Sequence, residues 1–151
     1  MDVGRICHRS VATVAPGDSL LDAARLMRDR NVGDVVVVDH RGGKTIPTGV
    51  LTDRDIVVRC LAVDPADLGR LTVADLVTDP VITISEGKEL SDAIDVMHRS
   101  GIRRIPVVDP SGALVGIITL DDVLGAMSDD LGKVALLVAS QRLREAQKTG
   151  P

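Results

Sequence analysis

Apolar positions recur at helical spacing twice along the chain, first as Leu20, Ala23, Ala24 and Met27 and again as Leu90, Ala93, Ile94 and Met97. Each stripe follows a turn, "APGDS" or "SEGKE", and Ser19 or Glu89 stands at the predicted helix start. Asn31 and Gly101 lie where a left-handed residue would close the helix. The β-branched runs "DVVVVD" and "IPVVD" come next, continuous rather than alternating, as in strands buried on both faces. Turn-rich "HRGGKTIPTG" and "PSGALVG" then lead into a second apolar strand (Val50–Thr52; Val115–Thr119) and a helix beginning near Asp53 or Leu120. With a short strand ahead of it (Val11–Val14; Val81–Ile84), each stretch reads β-α-β-β-α.

The two stretches are copies. At an offset of 70, Gly17/Gly87, Leu20/Leu90, Asp22/Asp92, Ala23/Ala93, Met27/Met97, Val37/Val107, Val38/Val108 and Asp39/Asp109 are identical. At an offset of 67, "GVLTDRDIV" faces "GIITLDDVL", keeping Gly49/Gly116, Thr52/Thr119 and Asp55/Asp122. The period exceeds the roughly 20–50 residues of solenoid repeats, so this is a duplicated subdomain. The expected fold is α/β in the α+β sense: two β-α-β-β-α subdomains about a pseudo-twofold, plus a C-terminal helix. The expected boundaries are 1–66, 67–127 and 128–151. A short helix is predicted around Val73–Leu76. A last helix, capped by Ser128 and running from Asp129 to about Gln147, is too apolar through Val134–Ala139 for a solvated tail. It should pack on the pair or on a second subunit.

Composition narrows the function classes. A chain of 151 residues buries about 68–70% of its extended surface, enough for a core without staples. That core is aliphatic, since Phe, Tyr and Trp are all absent, and single-strand nucleic-acid binding loses its usual stacking platforms. Net charge is −4, and neither half has the basic field that phosphate-backbone binding needs. Cys7 and Cys60 are non-equivalent and form no CxxC, which fits a reduced, cytoplasmic compartment. No signal-peptide pattern or membrane-length apolar run is present, so a soluble protein is expected.

The chemistry gathers at Thr52-Asp53-Arg54-Asp55 and Thr119-Leu120-Asp121-Asp122, each at a strand-to-helix junction. Free amides at a helix start attract an anion, and an aspartate three residues after the threonine can accept from both hydroxyls of a ribose. Val, Ile and Pro would have to form the flat walls an adenine needs. The same Thr-x-x-Asp spacing is also a capping box, with the threonine accepting from a backbone amide and the aspartate complementing the dipole.

Gly-apolar-apolar-Thr-x-x-Asp after a strand ending Val-Val-Asp resembles the CBS (cystathionine β-synthase) domain, and two in tandem resemble a Bateman module in a stand-alone CBS-pair protein. The resemblance covers about residues 5–127. It implies a non-catalytic regulatory module that senses an adenosine-containing nucleotide (AMP, ADP or ATP) in the cleft, and a homodimer in which two pairs form a flat disc. The alternative is a structural dimerisation or protein-interaction module whose sites are empty or take S-adenosylmethionine. Carried over by position, one site comprises Thr52, Arg54 and Asp55, an adenine wall from Val81 and Ile82, and Arg103 for phosphate. The other comprises Thr119, Asp121 and Asp122 with Val11 and Ala12, and Ile105 and Pro106 nearby. Gly33 and Asp34 stand where the second copy has Arg103 and Arg104. The first site is therefore expected to gather arginines and the second carboxylates.

Rival chemistries are weaker. His8, His40 and His98 share no ligand spacing, and adjacent Cys7 and His8 would point to opposite faces of a strand. Asp121-Asp122 and Asp129-Asp130 read as helix-start residues rather than a hydrolytic dyad. Neither a metal nor a catalytic role is expected. The partners expected are the adenosyl ligand, a second copy and an unidentified regulated protein, with no nucleic acid and no membrane.

Overall fold

The computed structural model describes residues 1–148. The final residues of the 128–151 segment, 149–151, lie outside the described residues. Element order is α1 (Val3–Ile6), β1 (Thr13–Val14), α2 (Leu20–Arg30), β2 (Asp34–Arg41), β3 (Lys44–Thr52), α3 (Asp53–Ile56), α4 (Val73–Leu76), β4 (Ile84–Ser85), α5 (Leu90–Ser100), β5 (Arg104–Val108), β6 (Leu114–Thr119) and α6 (Leu120–Lys148). A π turn, Val57–Leu61, extends α3, and a 3-10 turn, Pro65–Gly69, leads to α4. Two three-stranded sheets result, β1-β2-β3 and β4-β5-β6, each with a parallel first pair and an antiparallel second.

The two units agree in detail. The Ser19 hydroxyl caps α2 by accepting from the Asp22 amide at 3.1 Å, and a Glu89–Asp92 capping box starts α5. Asn31 (φ 53) and Gly101 (φ 64) close these helices in the left-handed region. An irregularity in pairing falls between Val37 and Val38 and again between Val107 and Val108. Strand β2 is buried on both faces. Val35 and Val37 enter a core with Leu20, Ala23, Met27 and Leu51, while Val36 and Val38 meet Ile117 between the sheets. Leu20 and Leu51 are fully buried, each contributing roughly 1.5–3 kcal/mol by transfer alone.

The segments before the first strands are exchanged. Val3 and Cys7 pack in the second core, with the Val3 amide donating to the Lys88 carbonyl at 2.8 Å. Reciprocally, Val73 and Leu76 of α4 pack in the first core, with Val73 N–H donating to Asp18 O at 2.9 Å. Chain order puts residues 67–77 with the second copy, but packing puts them against the first. Gly49 and Gly116 permit this crossing. A Cβ on Gly116 would lie 2.7 Å from Cys7 Sγ and 2.9 Å from the His8 carbonyl, and one on Gly49 would collide with Val77. Cys7 and Val77 are themselves equivalent at the offset of 70.

Two expectations change. The leading strands are shorter than predicted: they begin at Thr13 and Ile84, so Val11–Ala12 and Val81–Thr83 precede them, with the Ala12 carbonyl still accepting from the Val36 amide at 2.9 Å. Helix α6 is continuous from Leu120, so no new helix starts at Ser128. The Gly125 that could have broken it is accommodated within the helix. Among the described residues, no helix is long and apolar enough to cross a membrane.

Two candidate ligand clefts

Residues Thr52 and Thr119 end strands paired with Asp34 and Arg104 respectively. Each therefore starts its helix beside the other unit's leading segment, and a hollow opens on each side of the pseudo-twofold. The first, of about 560 Å³, is bordered by Thr52, Arg54, Asp55, Val81, Ile82 and Arg103, together with Arg59, Thr78 and Pro80. The second, of about 480 Å³, is bordered by Val11, Ala12, Thr119, Asp121 and Asp122, together with His8, Asn31, Asp34 and Ile117. Both volumes suit a small organic ligand.

Ile105 and Pro106 line neither hollow. Strand β5 is sandwiched on both faces, so Ile105 is fully buried in the second core and Pro106 is fully buried as well. The expectation for the arginine pair is too narrow, because Arg103 and Arg104 border both hollows. The contrast in charge survives in reduced form. The first hollow has Arg54, Arg59, Arg103 and Arg104 against Asp53, Asp55 and Asp79. The second has Arg103 and Arg104 against Asp34, Asp121 and Asp122.

Hydrogen bonding separates the clefts further. In the first, Thr52 and Asp55 form a capping box: the Thr52 amide donates to Asp55 Oδ2 at 2.9 Å, and the Asp55 amide donates to Thr52 Oγ1 at 3.1 Å. The capping reading is thus realised, yet it occupies one carboxylate oxygen. Asp55 Oδ1 has no hydrogen-bond or ion-pair partner among the described residues. The side chains of Arg54, Arg59 and Arg103 likewise have no carboxylate at ion-pair distance among those residues.

The second cleft is committed internally. The Thr119 amide and hydroxyl both donate to Asp122 Oδ2 at 2.7 Å, and His8 Nε2 stands 2.7 Å from Asp122 Oδ1. His8 is fixed by two backbone bonds with Ile117, of 2.9 and 3.0 Å. Arg104 Nε lies 3.2 Å from Asp34 Oδ1, close enough for an ion pair but not aligned as a hydrogen bond, leaving that donor buried without an acceptor. Burial pushes the Asp34 carboxyl above the usual carboxylate range, against the pull of Arg104 and with a smaller push from Asp53.

Sequence reasoning misses His8 as a cleft residue because Cys7-His8 invites attention only as a thiol or metal pair. The available signal is the offset of 70, which makes His8 the counterpart of Thr78 at the edge of the first hollow. Among the described residues, no cluster of three or more His, Cys, Asp or Glu could hold a metal ion.

A duplicated unit with paired clefts defines a tandem module, and its family is shown by comparison. The CBS domain model matches residues 3–61 and 73–129, so the chain belongs to the CBS-domain family as a tandem pair. An uncharacterized protein of Methanopyrus kandleri, MK0525, is 35% identical over 124 residues, 82% of this chain; the match spans only 61% of that relative. The CBS-domain containing protein ATU1752 from Agrobacterium tumefaciens is similar in structure, with a TM-score of 0.73 at 28% identity, covering 84% of this chain and 99% of that one. The CBS domain protein PAE2072 from Pyrobaculum aerophilum, solved in complex with AMP, shares the fold (TM-score 0.72, 24% identity, 81% of this chain and 89% of that one).

Proposed function

We propose that this CBS pair is a non-catalytic regulatory module that binds a phosphorylated adenosine, of the AMP, ADP or ATP class, in the Thr52–Asp55 cleft. The observation that carries this reading is the inequality of the two aspartates: Asp55 keeps one oxygen free, while His8 stands on the corresponding oxygen of Asp122. The free oxygen suits the ribose hydroxyls. Arg54, Arg59 and Arg103 suit the phosphate, and Val81, Ile82 and Pro80 supply apolar wall. The AMP held by the Pyrobaculum protein supports the ligand class.

Isothermal calorimetry with AMP and ATP tests the proposal. About one site per chain is expected, lost in Arg54→Ala and retained in Asp122→Ala. Two equal sites, or loss through Asp122→Ala alone, would overturn it.

The chain also associates with a second copy in this reading. Ile56, Cys60 and Val123 are buried, but Val57, Val58, Leu124 and Met127 stay exposed, an apolar surface that a lone chain leaves uncovered. Light scattering giving one chain per particle at micromolar concentration would sink this part.

A further inference from the structure

Helix α6 outgrows the body it starts on. Val123 and Ala126 are its buried residues, and beyond Ser128 every side chain up to Ala139 is exposed. Helices in proteins draw most of their stability from packing an apolar face, so a projecting arm whose apolar side chains are exposed calls for a partner. Its apolar residues supply a seam: Leu124, Met127, Leu131, Val134 and Val138 are all exposed and spaced alternately by three and four, the pattern of a helix-pairing face. Leu136, Leu137 and Leu143 flank this seam or lie behind it.

We propose that this seam pairs antiparallel with the α6 arm of a second copy. The proposal rests on the reading that two copies associate, and it names the surface and its geometry. Charge decides the direction. The arm is acidic where it leaves the body, at Asp129 and Asp130, although Lys133 of the same arm reaches Asp130 at 2.8 Å, and it is basic toward its end, where Arg142, Arg144 and Lys148 outnumber Glu145. A parallel pair would set like ends together. An antiparallel pair that faces Val134 with the partner copy's Val138 sets Leu131 against Gln141 and Asp130 beside Arg144 on both edges of the seam, and it leaves Leu124 and Met127, next to the body, opposite Lys148 and Glu145. The wider match to the CBS domain stops at residue 129, so the arm is an addition to the family unit rather than part of it.

Cysteine cross-linking of the full chain tests the register. Native Cys7 and Cys60 are buried and stay out of the reaction. Antiparallel pairing leaves Leu131 of the two copies roughly 15 Å apart along the axis, beyond disulfide reach. Leu131→Cys alone and Gln141→Cys alone should therefore stay unlinked under mild oxidation, and an exchanged mixture of the two should give a linked dimer. Asp130→Arg and Arg144→Asp should each weaken dimerisation, on the order of tenfold in dissociation constant, since both edge pairs turn repulsive. Mixing those two variants should restore it, an outcome that misfolding cannot produce. A linked dimer formed by the Leu131→Cys variant on its own would overturn the antiparallel arm while leaving association standing. So would a mixture of charge variants that gains nothing. A monomer at all concentrations would overturn both.

Discussion

Asp34 and Arg104 hold equivalent positions in the two copies, and they meet each other, with Arg104 Nε 3.2 Å from Asp34 Oδ1. Both residues border the second hollow, and Arg104 borders the first as well. A single pair of opposite charges thus forms part of the wall between the clefts. The two positions are equivalent under the repeat, and an aspartate in one copy with an arginine in the other makes their meeting attractive.

This pair predicts a pH dependence. The Asp34 carboxyl sits above the usual range because burial outweighs the attraction of Arg104. A raised value means the folded chain holds that proton more tightly than the unfolded chain. The resulting stabilisation is present below the ordinary carboxylate value and is lost as pH rises through the raised one. Asp34→Asn cannot ionise, so its melting temperature relative to the parent should improve between pH 4 and pH 7. Circular dichroism, which needs no aromatic fluorophore, measures this. A difference that stays constant or shrinks would contradict the assignment.

A second prediction concerns Asp55, the carboxylate proposed to hold the ribose. Asp55→Ala should weaken AMP binding by about 1.5–3 kcal/mol, the range for hydrogen bonds to a charged group. The capping box shown by Thr52 and Asp55 is lost as well, at a cost of about 1 kcal/mol of stability. Unchanged affinity with a collapsed melting temperature would leave Asp55 a capping residue only.

Most of the fold was legible because it is written twice. The helical stripes, the left-handed ends at Asn31 and Gly101 and the doubly buried valines are local patterns, and each was read in two copies. The exchange of leading segments was not legible. Nothing local to Cys7 or Val73 says which core receives it, and the crossing shows only in the space that Gly116 and Gly49 leave open. Around the clefts, motif position identified the helix-start residues. Whether a carboxylate oxygen is free depends on a side chain more than a hundred residues away in sequence, as His8 is from Asp122, and no spacing rule reports that.

The crossing itself can be tested at Gly116. An added methyl would press on Cys7 Sγ at 2.7 Å and on the His8 carbonyl at 2.9 Å, and backbone yields less readily than a flexible side chain. Gly116→Ala should cost about 1–3 kcal/mol, in the range for overpacking. It should also loosen the segment carrying His8, read as faster amide exchange at His8, whose N–H is bonded to the Ile117 carbonyl at 2.9 Å. Exchange at His8 that matches the parent would show that the segment is not held by this packing.

The last prediction turns on His8 as the occupant of the second cleft. Its Nε2 lies 2.7 Å from Asp122 Oδ1, while Thr119 donates twice to Oδ2, so each carboxylate oxygen already has a partner where a ribose would approach. His8→Ala removes one of these contacts and makes Asp122 resemble Asp55. Asp121 remains beside it, and a phosphate would still meet a like charge in a partly desolvated hollow, where repulsion exceeds its value in water. The variant should therefore gain a site for a neutral or cationic adenosyl ligand, with adenosine or S-adenosylmethionine rising toward two sites per chain while AMP stays near one. A restored bond to the carboxylate corresponds to about 1.5–3 kcal/mol, or roughly one to two powers of ten in affinity. Calorimetry with both ligand types on parent and variant decides the matter. An unchanged count for adenosine would show that His8 is not what closes the cleft, and AMP filling both sites would show that Asp121 does not select against phosphate.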